Sequence, residues 1–134
     1  MKIILIEDEA IAMRRMKKLL LEIRPKSTII AELESVQDAK EWLAKNNTET
    51  VDLVFSDIQL SDGLSFEIFE SKDFNLPIVY ATAFSKYTSR AFQANGIDYL
   101  HKPILREDLA KTIANFEVKN DKVIFKSAGQ TNVW

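Results

Sequence analysis

The sequence predicts an α/β fold in which helices cover both faces of a parallel sheet. Five short apolar segments alternate with five segments of helical periodicity, the order that βαβ units produce. The first apolar segment, residues 3–6, is an unbroken isoleucine and leucine run, typical of a strand buried on both faces of a parallel sheet. Crossovers between parallel strands are almost always right-handed, so the alternation leaves few topologies.

The first two strand–helix units account for the N-terminal third of the chain. After the strand at residues 3–6, apolar side chains recur at helical spacing over residues 12–23, and Pro25 ends that helix. Residues 29–31 predict the second strand. Ser35 is a suitable N-cap for the second helix, which carries its apolar face over residues 36–43.

Three further units follow in the same order. The predicted strands are residues 53–55, 78–81 and 97–100, and the predicted helices are about 64–70, 85–95 and 105–116. Gly96 lies directly after the fourth helix, where a left-handed C′ residue is expected. We predict one domain over residues 1–118, with residues 119–134 as a tail or the start of a linker.

The composition excludes several functional classes. The 134 residues include 18 Lys and Arg, 20 Asp and Glu and no cysteine, with a net charge of −2. Without cysteine there is no disulfide scaffold, iron–sulfur ligation or thiol catalysis. The charge balance offers no basic footprint for nucleic acid, and no apolar run reaches the ~20 residues of a membrane span. We therefore expect a soluble, cytoplasmic domain that contacts neither membrane nor nucleic acid.

Polar side chains gather where the predicted strands end. Acidic residues follow the first and third strands, a hydroxyl follows the fourth, and a lysine and a proline follow the fifth; these residues are Glu7, Asp8, Glu9, Asp57, Thr82, Lys102 and Pro103. Because the carboxyl ends of parallel strands meet at one edge of a sheet, we expect these side chains to converge there.

This set of residues has a specific chemistry. Two carboxylates ~4 Å apart repel by about 4 kcal/mol at an effective dielectric of 20, so Glu7, Asp8 and Asp57 need a cation. Mg²⁺ fits because it prefers oxygen ligands. One carboxylate then becomes a nucleophile toward phosphorus, while Lys102 and Thr82 bind the phosphoryl oxygens. The sequence thus predicts a phosphoryl-transfer site with a carboxylate acceptor.

Four segments carry a resemblance to a known family. They are ILIEDE (4–9), DLVFSDIQ (52–59), IVYATA (78–83) and DYLHKP (98–103). Together they resemble the receiver domain of bacterial two-component response regulators over residues 2–118. Residues 57–70 and 92–104 are most similar to LytTR-type regulators, in which a DNA-binding domain follows the receiver. We expect the residues after 118 to be too few for that output domain, so any DNA contact is expected of it and not of this segment.

The resemblance implies a fold and a set of site residues. The fold is a flavodoxin-like (βα)₅ three-layer sandwich with a five-stranded parallel sheet in the order 2-1-3-4-5. Asp57 is the implied phosphoacceptor, which receives its phosphoryl group from a sensor histidine kinase. Asp8 and Asp57 bind Mg²⁺ directly, Glu7 binds it through water, and Gln59 offers its main-chain carbonyl. The Lys102–Pro103 bond is expected to be cis.

The resemblance also implies a switch. Phosphorylation draws the Thr82 hydroxyl toward the phosphoryl group and vacates space into which Tyr99 rotates. The two-state element is the face made by the fourth helix, the fifth strand and the fifth helix, which is also the expected homodimer interface. Such a module assists its own phosphorylation but is not a turnover enzyme. Residues 60–63 belong to the loop that follows the acceptor Asp57. Many receivers have a proline in this loop and this chain has none, so we expect the loop to be more mobile here than in those receivers.

Three alternatives remain open on the sequence. An Asp-nucleophile phosphatase would require an Asp-x-Asp pair after the first strand, where this chain has Glu7-Asp8-Glu9. An FMN-binding module would require a hydroxyl- and glycine-rich loop there, and three carboxylates would repel its phosphate. A stand-alone receiver, or a pseudo-receiver that acts by protein–protein interaction without phosphorylation, is the third.

Overall fold

The computed structural model describes residues 1–70, 75–83, 91 and 96–120. The elements are β1 (Lys2–Ile6), α1 (Ala10–Ile23), β2 (Thr28–Leu33), α2 (Val36–Lys45), β3 (Leu53–Asp57), β4 (Gln59–Leu60), β5 (Gly63–Leu64), α3 (Phe66–Phe69), β6 (Ile78–Thr82), β7 (Gly96–His101) and α4 (Arg106–Lys119). The predicted fourth helix, 85–95, lies outside the described residues except for Ala91, as does the tail beyond Asn120. The chain divides into two compact units after Ile104.

The main sheet has five parallel strands in the order β2-β1-β3-β6-β7. Counted along the chain, these are strands 2-1-3-4-5, so the predicted flavodoxin-like topology is confirmed. The central strands β1, β3 and β6 are almost wholly buried. Their uninterrupted apolar sequences follow from that position, because both faces of a central parallel strand are covered.

Alternate residues of the central strands face opposite sides of the sheet. The first layer lies on the side of α2 and α3, and the second lies on the side of α1. Ile4 and Ile6 of β1 join a core cluster with apolar residues of α2 and α3, including Val36 and Phe66. The intervening Leu5 lies beside α1 residues on the opposite face of the sheet. In the first layer the Phe66 ring meets the buried Tyr80 ring edge to face, with centroids 5.0 Å apart. Each fully buried side chain of this size contributes about 1.5–3 kcal/mol to folding.

A short hairpin follows β3, where the sequence predicts only a loop between the third strand and the third helix. Strands β4 and β5 pair antiparallel, with Gln59 opposite Leu64 and Leu60 opposite Gly63. Gly63 has φ +147°, a backbone conformation that only glycine adopts readily. Asp62, at the tip of this turn, accepts hydrogen bonds from the N-terminus of α2. The segment we expected to be more mobile is therefore held by strand pairing and by a helix cap.

Gly96 has a different role from the one predicted. It begins β7 and is not in the left-handed region. A side chain there would collide with the main-chain atoms of Ala91 and crowd the Tyr80 ring. Close backbone approach, and not a helix C-cap, explains the glycine at this position.

The second unit begins at Leu105, and its described part is α4. Leu109, Thr112, Ile113 and Phe116 are buried at helical spacing, as predicted for the fifth helix. The helix continues to Lys119. Among the described residues, no helix combines the length and apolar character needed to cross a membrane.

Candidate functional site

The strand registers align the polar strand ends at one edge of the sheet. Ile6, which precedes Glu7, pairs with Ser56, and Asp57 pairs with Ala81 on β6. Thr82, the last residue of β6, pairs with His101 at the end of β7. Because these pairs are neighbours in one parallel sheet, the residues that follow them in sequence emerge together.

Three carboxylates converge at this edge, as the sequence predicts. Glu7, Asp8 and Asp57 each offer a carboxylate oxygen, and these oxygens all lie within 4.8 Å of one another. The side chains of Glu7 and Asp57 are only 11% and 10% exposed, so water screens their charges weakly. Loss of hydration, followed by a hydrogen bond with Glu7, raises the pKa of Asp8. Ionisation of all three carboxyl groups is therefore unfavourable unless a cation is close to them.

Lys102 supplies a cation to two of the three carboxylates. Its Nζ donates to Glu7 Oε1 at 2.8 Å and to Asp57 Oδ2 at 3.1 Å. Burial by itself lowers the pKa of Lys102, but the hydrogen bonds and charges of Glu7 and Asp57 outweigh burial and raise it. The Lys102 main-chain N–H donates to Thr82 O at 2.9 Å, which ties the end of β7 to the end of β6. The Lys102–Pro103 peptide bond is cis.

The remaining predicted residues lie around this cluster. Thr82 is 1% exposed at the end of β6. Gln59 begins β4, two residues after Asp57. Tyr99 is half-buried in β7, packs against the core and lies with its ring centroid 6.5 Å from that of His101. Tyr99 is thus at least partly a core residue, a role that does not conflict with a switch.

Two contacts of the site region were not found from the sequence. Arg15 of α1 donates from Nη2 to Ile104 O at 2.6 Å. Both residues line a cavity of about 890 Å³, next to Glu7, Asp57 and Lys102. Asp62 anchors the hairpin after Asp57. The partners in each contact are distant in sequence, and no local sequence pattern predicts the contact of Arg15 or that of Asp62.

A parallel α/β sheet with an acidic cluster and a lysine at its carboxyl edge defines a class of signalling domain. The family model described as "Response regulator receiver domain" matches residues 3–114. The chain belongs to this family, so the receiver-domain prediction is confirmed.

Within that family, the chain is similar to the LytT and LytR sensory transduction proteins. The chain is 39% identical over 127 residues to "Sensory transduction protein LytT" of Bacillus anthracis, covering 92% of this chain and 50% of the relative. It is 30% identical over 125 residues to "Sensory transduction protein LytR" of Staphylococcus epidermidis, covering 91% and 48%. The predicted likeness to LytTR-type regulators is confirmed. The chain spans about half the length of these relatives.

Solved structures support the fold. A two-component response regulator from Clostridium difficile superimposes with a TM-score of 0.76 at 26% identity, covering 90% of this chain and 98% of that one. The response regulatory domain of protein mrkE from Klebsiella pneumoniae gives a TM-score of 0.78 at 22% identity, covering 89% and 97%. The chain is therefore a receiver domain of a two-component response regulator.

Proposed function

We propose that Asp57 accepts a phosphoryl group from a sensor histidine kinase and that the phosphorylated domain switches an output. The observation that carries this proposal is the convergence of three carboxylates, with oxygens within 4.8 Å of one another, beside an ammonium that lies 3.1 Å from Asp57. This arrangement supplies a nucleophile and a positive charge for the group that the nucleophile receives.

In the proposed reaction, an Asp57 carboxylate oxygen attacks the phosphorus of a phosphohistidine. The new O–P bond makes an acyl phosphate, and the broken P–N bond returns its electron pair to the imidazole of the kinase. Lys102, which already pairs with Asp57, would then bind the negatively charged phosphoryl oxygens. The Thr82 hydroxyl donates to the same group, because β6 ends beside β3 at this edge.

The donor set fits Mg²⁺. Clustered carboxylate oxygens are the ligands that this ion prefers, and burial, followed by a hydrogen bond with Glu7, raises the pKa of Asp8 within the cluster. Asp8 and Asp57 would hold the ion directly, Glu7 through water and Gln59 through its main-chain carbonyl. When bound, Mg²⁺ neutralises charge that develops on the transferring phosphoryl group.

The output belongs to a larger protein in this proposal. The LytT and LytR relatives are about twice as long as the matched segment, consistent with a following LytTR-type DNA-binding domain that controls transcription. Phosphorylation would shift Thr82 and Tyr99 and thereby the face that the resemblance assigns to the fourth helix, the fifth strand and the fifth helix. The module would act in the cytoplasm, and it would not be a turnover enzyme.

The test of the acceptor uses acetyl phosphate with Mg²⁺ as a small donor. Intact mass spectrometry should show one added phosphoryl group on the native protein and none on Asp57→Ala. Asp108→Ala, which removes a carboxylate from an exposed position in the first turn of α4, is the matched control and should be modified normally.

Two results would contradict the proposal. An added phosphoryl group on Asp57→Ala would place the acceptor elsewhere. Hydrolysis of a phosphomonoester far beyond one equivalent by the native protein would favour the phosphatase alternative.

A further inference from the structure

Asp62 joins the loop after the acceptor to the start of α2. Its Oδ1 accepts from the main-chain N–H of Val36 at 2.8 Å, and its Oδ2 accepts from the N–H of Gln37 at 3.0 Å. The first N–H groups of a helix have no partners within the helix, and the dipole favours a negative charge there. Both oxygens of one carboxylate are thus used by a helix that lies 26 residues earlier in the sequence.

Ser35 supplies a second cap of α2 from the residue next to the helix. Its hydroxyl oxygen accepts from the Asp38 N–H at 3.0 Å. Ser35 is the local N-cap, whereas Asp62 caps the same helix from another part of the chain. The two residues therefore separate capping of α2 from attachment of the hairpin.

The other end of the hairpin is attached to the main sheet. The Ile58 N–H donates to Ala81 O on β6 at 3.1 Å, and the Ser65 N–H donates to Ile58 O at 2.8 Å. Between these attachments lie Gln59, paired with Leu64, and the turn that carries Asp62. The segment containing Gln59 is thus held at its base by the sheet and at its tip by α2.

We propose that Asp62 is a positioning residue for the metal site: by fastening the hairpin tip to the N-terminus of α2, it fixes the main chain at Gln59. This inference rests on the proposed Mg²⁺ site, in which the Gln59 carbonyl is a ligand. A main-chain ligand cannot be oriented by choosing a rotamer, so its position depends on how the backbone around it is held. Asp62 supplies that restraint where the loop lacks a proline.

The hydrogen bonds from Val36 and Gln37 also lower the pKa of Asp62, so its carboxylate stays ionised to a lower pH than an ordinary aspartate. A charged acceptor makes stronger hydrogen bonds than a neutral one. Asparagine keeps one oxygen for one of the two N–H groups, whereas alanine keeps none. The three side chains therefore form a graded series for attachment of the hairpin.

The experiment compares native protein, Asp62→Ala, Asp62→Asn and Ser35→Ala. Hydrogen exchange without metal measures the protection of the amides of residues 58–65, and calorimetric titration with Mg²⁺ measures affinity. We expect Asp62→Ala to speed exchange in the hairpin and to weaken Mg²⁺ binding about 10-fold, the usual loss when an outer support of a metal site is removed. Asp62→Asn should show a hairpin exchange rate and an Mg²⁺ affinity between those of Asp62→Ala and the native protein.

Ser35→Ala distinguishes positioning from helix capping. It should destabilise the protein yet leave hairpin exchange and Mg²⁺ affinity unchanged. If the native protein binds Mg²⁺ and all variants bind it equally, the positioning role is wrong while the proposed function stands. Equal losses of affinity in Ser35→Ala and Asp62→Ala would reduce Asp62 to a cap. If the native protein binds no Mg²⁺, the metal site of the proposed function fails, and the positioning role fails with it.

Discussion

Lys102 holds two carboxylates that would otherwise repel each other across the sheet edge. Its ammonium lies 2.8 Å from Glu7 and 3.1 Å from Asp57, so one cation neutralises charge on two strands. In the proposed reaction, the same ammonium is needed at the phosphoryl group. Mg²⁺ binding and phosphorylation should therefore depend on Lys102 in opposite directions.

Lys102→Met separates these two dependences. Methionine keeps much of the length of the side chain and removes the charge, so the carboxylates should bind Mg²⁺ more tightly, by up to about 10-fold or 1.4 kcal/mol. Phosphorylation by acetyl phosphate should become slower, because the phosphoryl oxygens lose a positive partner. Calorimetry and the rate of mass addition measure the two effects. Faster phosphorylation in the variant would contradict the role given to Lys102.

The residues of the site were predictable where they end strands. Glu7, Asp57 and Lys102 each follow an apolar run, and parallel topology alone brings such ends together. Asp62 and Arg15 were not predictable, because their partners lie 26 and 89 residues away and are main-chain atoms. Main-chain donors and acceptors exist at almost every residue, so sequence gives no sign of which one a side chain will reach.

Among the elements, α2 depends on two caps that respond differently to pH. The Val36 and Gln37 N–H groups lower the pKa of Asp62, so the stabilisation by its carboxylate is complete above the unfolded value of about 3.9. That stabilisation is lost as the pH falls through the lower folded value. The hydroxyl of Ser35 does not titrate in this range.

The pH dependence of unfolding by urea checks this difference. Asp62→Asn should be less stable than the native protein at neutral pH, and the gap should narrow as the pH falls below about 4. Ser35→Ala should cost about 1 kcal/mol, the usual value of an N-cap, with a gap that stays constant across the same range. A constant gap for Asp62→Asn would mean that its carboxylate is not held by α2.

The five strands of the main sheet and the helices α1 to α4 were predicted, whereas the two-residue strands β4 and β5 were not. Strands β1, β3 and β6 are buried on both faces, and burial imposes the apolar runs that predict them. Strands β4 and β5 have two residues each, too few for any periodicity to show. A glycine such as Gly63 is typical of a turn, but a turn does not reveal that the residues on either side of it pair as strands.

At the scale of the whole molecule, β7 is an edge strand of the five-stranded sheet. Within the described sheet, β7 pairs with another strand on one side only, so residues along it can contact a second molecule. Ile97 on β7 is 39% exposed. The proposed two-state face includes β7, and we expect phosphorylation to strengthen a homodimer through this face.

Size-exclusion chromatography with light scattering tests the dimer, with beryllofluoride and Mg²⁺ in place of the phosphoryl group. The native protein should move from monomer toward twice that mass. Ile97→Lys should stay monomeric, because a charge buried at the interface would lack a partner. Ile11→Lys, at a 75% exposed position on α1, is the matched control and should dimerise like the native protein. No change in mass or shape of the native protein would count against the dimer, and equal dimerisation of both variants would place its interface away from Ile97.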